Sequence, residues 1–208
     1  LLYDFYSPDH YINEDVYAYS NYKENQPSLV VFNNRYANAQ GWIKISNSYS
    51  NKLSDGQKIL KQSSLSAGLH LDSSFDFVIF KDISTNLEYI RPSQELIDKG
   101  LYLELHAYQS HVFVDFRQIR DDYYRSYRQL NSYLDGKGVP NIEGALKELL
   151  LQPIQQPLKE VLNRGYFDYL MSERLSEIKN FVNPDLIKES SIKADGLIAG
   201  IYALTGHL

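Results

Sequence analysis

Up to about residue 120, apolar and β-branched or aromatic positions alternate or cluster in short runs; beyond it they recur at helical spacing. Asp15 to Tyr22 alternates loosely and predicts a strand. Ser28 to Asn33, an apolar run after Pro27, predicts a buried strand. Gly41 to Ser46 alternates, which places Trp42 opposite Ile43 and Ile45. The polar stretch Asn33 to Gln40 between these runs reads as a turn or long hairpin loop. Phe75 to Lys81 and Leu87 to Arg91 predict two further strands. Leu101 to Ala107 puts Leu101, Leu103, Leu105 and Ala107 on one face and Tyr102, Glu104 and His106 on the other. With Tyr108-Gln109-Ser110 as a short connection, it predicts a hairpin with His111 to Phe116. The polar segment Ser48 to Ser74 carries a weak helical signal over Gly56 to Ala67.

The later pattern is helical. Tyr123, Tyr127, Leu130 and Leu134 share a face up to Gly136 and Gly138, which end the element. Asn141 is placed to cap a helix bearing Ile142, Leu146, Leu149 and Leu150, which Pro153 stops. Pro157 opens another helix with Leu158, Val161 and Leu162, ended by Gly165. Phe167, Leu170, Arg174, Ile178 and Phe181 keep helical spacing up to Pro184, and a last helix holds Leu197, Ile198, Ile201 and Leu204. Strands followed by helices predict an α+β chain: an antiparallel β-sandwich over residues 1–118, then an α-helical subdomain over 119–208 packed on it.

Composition narrows the classes of function. The chain has 208 residues, a net charge of −5 and no basic stripe, which argues against nucleic acid or an anionic membrane as partner. The apolar stretch Leu197 to Leu204, interrupted by Gly200, falls far short of the roughly 20 residues that span a bilayer. Cysteine is absent, which excludes disulfides, zinc–thiolate sites and cysteine nucleophiles. That fits the cytosol, and many secreted proteins besides. No leader is visible, and the opening Leu1-Leu2-Tyr3 without Met reads as a piece of a longer protein. The 18 tyrosines suit either sheet packing or a sugar-stacking surface.

Reactive groups do not gather in the sequence. His106 and His111 flank the predicted turn, where Glu104, Asp115 and Glu88 would complete a metal site; no ligand spacing supports that over plain polar-face strand residues, and neither metal nor cofactor is expected. A glycosidase needs two carboxyl groups across one sugar bond. Asp121 and Asp122 are neighbours that diverge on a helix and suit its N-terminus instead. No nucleophile elbow or phosphate loop is present, so no catalytic residue is assigned. One cluster stands out: Asn33, Asn34, Arg35, Tyr36, Asn38, Gln40 and Trp42. Amides and a guanidinium pair with sugar hydroxyls while aromatic faces take the rings. Asn34, Arg35, Tyr36 and Trp42 are therefore candidate carbohydrate-binding residues; the alternatives are a polar loop anchored by Trp42, or a contact with a neighbouring domain.

Several segments carry a family resemblance. Leu2-Tyr3-Asp4-Phe5-Tyr6, Asn13 to Asn21, Leu29 to Ala37 with Gly41-Trp42-Ile43, Gly100 to Leu105 with Ala107-Tyr108, His111 to Phe116, and Gly136 to Pro140 together resemble the region that follows the catalytic barrel in large bacterial proteins of the α-amylase superfamily of glycoside hydrolases. The resemblance spans roughly residues 2 to 165. It implies an antiparallel sandwich beside a catalytic (β/α)8 barrel of the same polypeptide, whose retaining chemistry on α-glucans belongs to that barrel. None of the barrel's catalytic motifs has a counterpart here, so this segment is expected to be inactive. The resemblance implies a supporting domain; an α-glucan-binding module and a self-association or scaffold region are the alternatives.

Overall fold

The computed structural model describes residues 1–52, 56–175 and 183–205. Backbone contacts divide the chain into two compact units, Leu1–Glu143 and Gly144–Leu208. The chain is a mixed α+β protein. The first unit contains β1 (Leu2–Tyr6), β2 (Val16–Lys23), β3 (Gln26–Asn33), β4 (Ala39–Ser46), β5 (Tyr49–Lys52), β6 (Lys58–Lys61), α1 (Leu65–Gly68), β7 (Phe77–Asp82), β8 (Leu87–Pro92), α2 (Ser93–Asp98), β9 (Leu101–Leu105), β10 (Ser110–Ile119) and α3 (Ser126–Leu134).

Eight strands form one antiparallel sheet in the order β8-β7-β10-β3-β2-β1-β4-β9, and β5 and β6 form a separate hairpin. The predicted β9–β10 hairpin is not formed: β9 pairs with β4, and β10 with β3 and β7. In a flat sheet β9 and β10 would lie five spacings apart, roughly 24 Å. The link from Leu105 to Ser110 spans at most about 18 Å. The sheet must therefore curl, and the short link is an arch between facing walls.

Alternation along the strands accounts for the inside of the curl. Tyr3, Phe5, Val16, Ala18, Leu29, Val31, Ile43, Leu101, Leu105 and Phe113 are buried on one face. Leu65 and Leu69 at α1 and Leu96 of α2 complete that core. β7 is buried on both faces, and α3 packs on its neighbour β8. The edge of β8 is shielded by the following chain. Glu88 and Val139 exchange backbone hydrogen bonds of 2.7 and 2.9 Å, and the Arg91 guanidinium donates to the Gly136 carbonyl at 2.9 Å.

Two parts of this unit escaped the sequence pattern. β1, a segment for which the pattern predicts no strand, is an interior strand between β2 and β4. The helical signal over Gly56 to Ala67 resolves into β6 and the single turn α1. Ser64 caps that turn by accepting from the Ala67 N–H at 3.1 Å. A bulge also overturns one predicted face. Tyr3 pairs with Ser46 but Phe5 with Ile43, so β4 carries an extra residue. Ile43 stays inside, whereas Ile45 turns out to the side of Trp42.

The helix α4 (Ile142–Val161) begins directly after Asn141, as expected, but runs unbroken through Pro153 and Pro157. Its first N–H, on Ile142, donates to Glu88 Oε2 at 2.8 Å. The second unit continues with α5 (Arg164–Leu175) and α6 (Pro184–Thr205). Gly165 lies inside the first turn of α5 instead of ending a helix, because Asn163 caps that turn by accepting from the Tyr166 N–H at 2.8 Å. Ile178 and Phe181 lie outside the described residues. Pro157 has no N–H for the Pro153 carbonyl. Gly200 of α6 approaches that carbonyl so closely that an added Cβ would stand 2.1 Å from its oxygen. The absent donor and the absent side chain together allow two helices to meet at backbone distance.

Candidate functional site

The structure separates the predicted sugar-binding residues into two places. Asn33, at the end of β3, is buried, and its amide donates to the carbonyls of Ala37 at 2.7 Å and His106 at 2.9 Å. It ties the β3–β4 loop to the β9–β10 arch. Asn34 is exposed and its backbone N–H donates to the Asp15 carbonyl. The Arg35 guanidinium pairs with Asp15 at 2.8 Å, and Tyr36 is 85% exposed, with its ring 6.2 Å from that of Tyr108. None of Asn34, Arg35 and Tyr36 lines the cleft that Trp42 lines.

Trp42 is the middle rung of an aromatic ladder. Tyr6 on β1 and Tyr102 on β9 are both its register partners, so the three side chains stand on the same outer face of three adjacent strands. The Trp42 and Tyr102 rings lie 4.8 Å apart at 54°. Beside the ladder opens a cleft of about 470 Å³ lined by Tyr6, His10, Trp42, Lys44, Ile45 and Lys99.

Local structure builds this surface from several directions. Gly41 lets β4 lie against β1, since a Cβ there would be 2.1 Å from the Tyr6 carbonyl oxygen. Lys99 is the C-cap of α2, and Gly100 after it takes φ +80°, the left-handed turn that ends the helix. His10 sits in the loop after β1 at φ 64°, held by its N–H bond to the Ser7 carbonyl at 2.9 Å. The ladder's hydroxyls are also engaged: Tyr102 donates to Glu104 at 3.1 Å, and Tyr6 points at Asp4 at 3.5 Å. Burial, with the adjacent carboxylate second, raises the pKa of each phenol, so both remain donors.

The histidines go to different surroundings. His106 is exposed, whereas His111 faces the interior, contrary to the polar-face expectation, and its Nδ1 lies 2.8 Å from the buried Asp82. Among the described residues no three His, Asp or Glu side chains converge as metal ligands. Carboxylates considered for a metal site or for glycoside cleavage have other engagements. Glu88 accepts from Arg117 at 2.7 Å and from Ile142 N–H. Asp121 and Asp122 accept from the N–H groups of Tyr127 and Ser126 and so cap α3.

Alternation alone puts Trp42 on the face away from Ile43, and Tyr102 on the polar face of another strand. Their adjacency was hidden, because β9 was assigned the wrong neighbour. Tyr6, His10, Lys44 and Lys99 gave no signal beyond residue type. Neither a scan of protein-family profiles nor searches of curated proteins and of solved structures return a match to this chain.

Proposed function

We propose that this chain is a non-catalytic domain that binds an α-glucan, accompanying a catalytic barrel of the same polypeptide in an enzyme of the α-amylase type. The curled sheet takes the role of the antiparallel sandwich in such an enzyme, and the helices form its following subdomain. One observation carries the binding reading: Tyr6, Trp42 and Tyr102 stand in register across β1, β4 and β9. Adjacent strands are about 4.8 Å apart, so successive rings of a sugar chain lying across them meet successive aromatic faces. The cleft beside the ladder adds Lys44, Lys99 and His10 as donors for hydroxyls. This favours a binding module over a purely supporting domain.

Calorimetric titration of the chain with maltoheptaose tests the reading. Heat of binding is expected, with Trp42→Ala and Tyr102→Ala each weakening affinity at least about tenfold, the loss of one stacked ring. No heat at millimolar maltoheptaose, or unchanged affinity in both variants, would overturn it.

A further inference from the structure

We infer that the glucan held at the Trp42 cleft carries negative charge, as a phosphomonoester on a sugar ring does; this rests on the sugar-binding reading above and names the ligand more closely. Acidic residues outnumber basic ones in the chain, 26 to 21, yet the cleft lining holds two lysines and a histidine and no carboxylate. Among the described residues neither Lys44 nor Lys99 has a carboxylate within ion-pair distance. The acids next to these residues in sequence or in the sheet hold other hydrogen-bond partners and lie outside the lining: Glu104 accepts from the Tyr102 hydroxyl, Asp4 faces that of Tyr6, and Asp98 accepts from Gln94. Lys44, Lys99 and His10 thus stand beside an aromatic face in a cleft that no carboxylate lines.

The hydroxyls of a neutral sugar both donate and accept, so a site built for one also offers acceptors such as amide or carboxylate oxygens. Lysine ammonium groups only donate, and their charge suits an anion. The three come from separate elements: Lys44 from β4, Lys99 from the C-cap of α2, and His10 from the loop after β1. His10 is placed there by a left-handed turn at φ 64° whose N–H bonds to the Ser7 carbonyl. The ring stacks on Trp42 while the phosphate is met by Lys44, Lys99 and His10.

The test compares three probes by calorimetry at low ionic strength: maltoheptaose, maltoheptaose bearing a single phosphomonoester, and inorganic phosphate alone. The phosphorylated sugar is expected to bind on the order of tenfold tighter than the plain one. That advantage should shrink as salt is added. In Lys44→Gln/Lys99→Gln the two sugars should bind with equal affinity, with an unchanged urea midpoint showing that the variant is folded. Equal affinity of both sugars for the unaltered chain overturns the charge inference and leaves the sugar reading standing. No heat from either sugar overturns both. Phosphate alone binding as tightly as the phosphorylated sugar, with no effect of Trp42→Ala, overturns the sugar reading.

Discussion

His111 and Asp82 meet in the interior, imidazole Nδ1 to carboxylate Oδ2 at 2.8 Å, where β10 passes β7. Asp82 is fully buried and also accepts from the Thr85 hydroxyl at 2.7 Å, the Ser84 N–H at 3.0 Å and the Val112 N–H at 3.2 Å. One carboxylate therefore shapes the β7–β8 turn and ties it to the next strand. Replacing it with Ala removes the acceptor of four donors, of which the His111 ring N–H is buried and loses its partner in the interior. Asp82→Ala should cost about 3 kcal/mol, and Asp82→Asn roughly half of that, because an amide oxygen still accepts. Urea denaturation measures both, and a loss below about 0.5 kcal/mol for the alanine variant would show the network to be dispensable.

The same network predicts an acid limb of stability. Burial alone would raise the Asp82 pKa, but the hydrogen bonds from His111, Thr85 and Ser84 outweigh it and hold the carboxyl below its ordinary range. A folded-state pKa below the unfolded one stabilises fully above the unfolded carboxylate value of about 3.9 and is lost as pH falls through the folded value. Between about pH 6 and about pH 2 the unaltered chain should therefore lose more stability than Asp82→Asn does. Parallel curves would contradict this assignment.

Gly41 is expected to tolerate no side chain. A Cβ there meets the Tyr6 carbonyl oxygen at 2.1 Å and a Phe5 ring carbon at 2.8 Å, backbone and buried core respectively. Gly41→Ala should destabilise by about 2–3 kcal/mol and disturb the ladder, since it pushes β4 from β1. The readouts are the urea midpoint and the fluorescence of Trp42, the single tryptophan.

Gly200→Ala tests the crossing of α4 and α6. Its Cβ would strike the Pro153 carbonyl, so helicity of the second unit should fall and its thermal transition move down by about 2 kcal/mol of stability. Circular dichroism would show it. An unchanged transition would mean that the two helices do not hold each other at that point.

Trp42 and Tyr102 should be energetically coupled. Rings 4.8 Å apart in a tilted cross-strand pair predict an interaction of about 0.5–1 kcal/mol in a double-mutant cycle on stability. Strict additivity of the two alanine variants would mean that the rings are neighbours without mutual attraction, and would weaken the case for a pre-built stacking surface.

Several elements were legible because their physics is local. The alternation in Leu101 to Leu105 placed Tyr102 outward and Leu101 and Leu105 inward, as found. Asp121 and Asp122 were read as belonging to a helix N-terminus and do cap α3. Where local rules met a tertiary competitor, they lost. Pro153 is expected to stop one helix and Pro157 to open the next, yet α4 continues through both, with α6 laid against the carbonyl that Pro157 cannot bond. His111 read as a polar-face residue because its partner Asp82 is 29 residues away and gives no local signal.

The residues by themselves determined that the first part of the chain is mostly strands and the later part helices, and which way a regular strand such as Leu101–Leu105 faces, because those depend on repeat periods of two and 3.6 along the chain. They did not determine which strand lies beside which. Partnership in a sheet is settled by how the whole apolar face closes on itself, and here the curl carries β9 away from its neighbour in sequence and sets it beside β4. The ladder of Tyr6, Trp42 and Tyr102 exists only through that choice. Its three members are scattered over the chain and meet because three strands share one face.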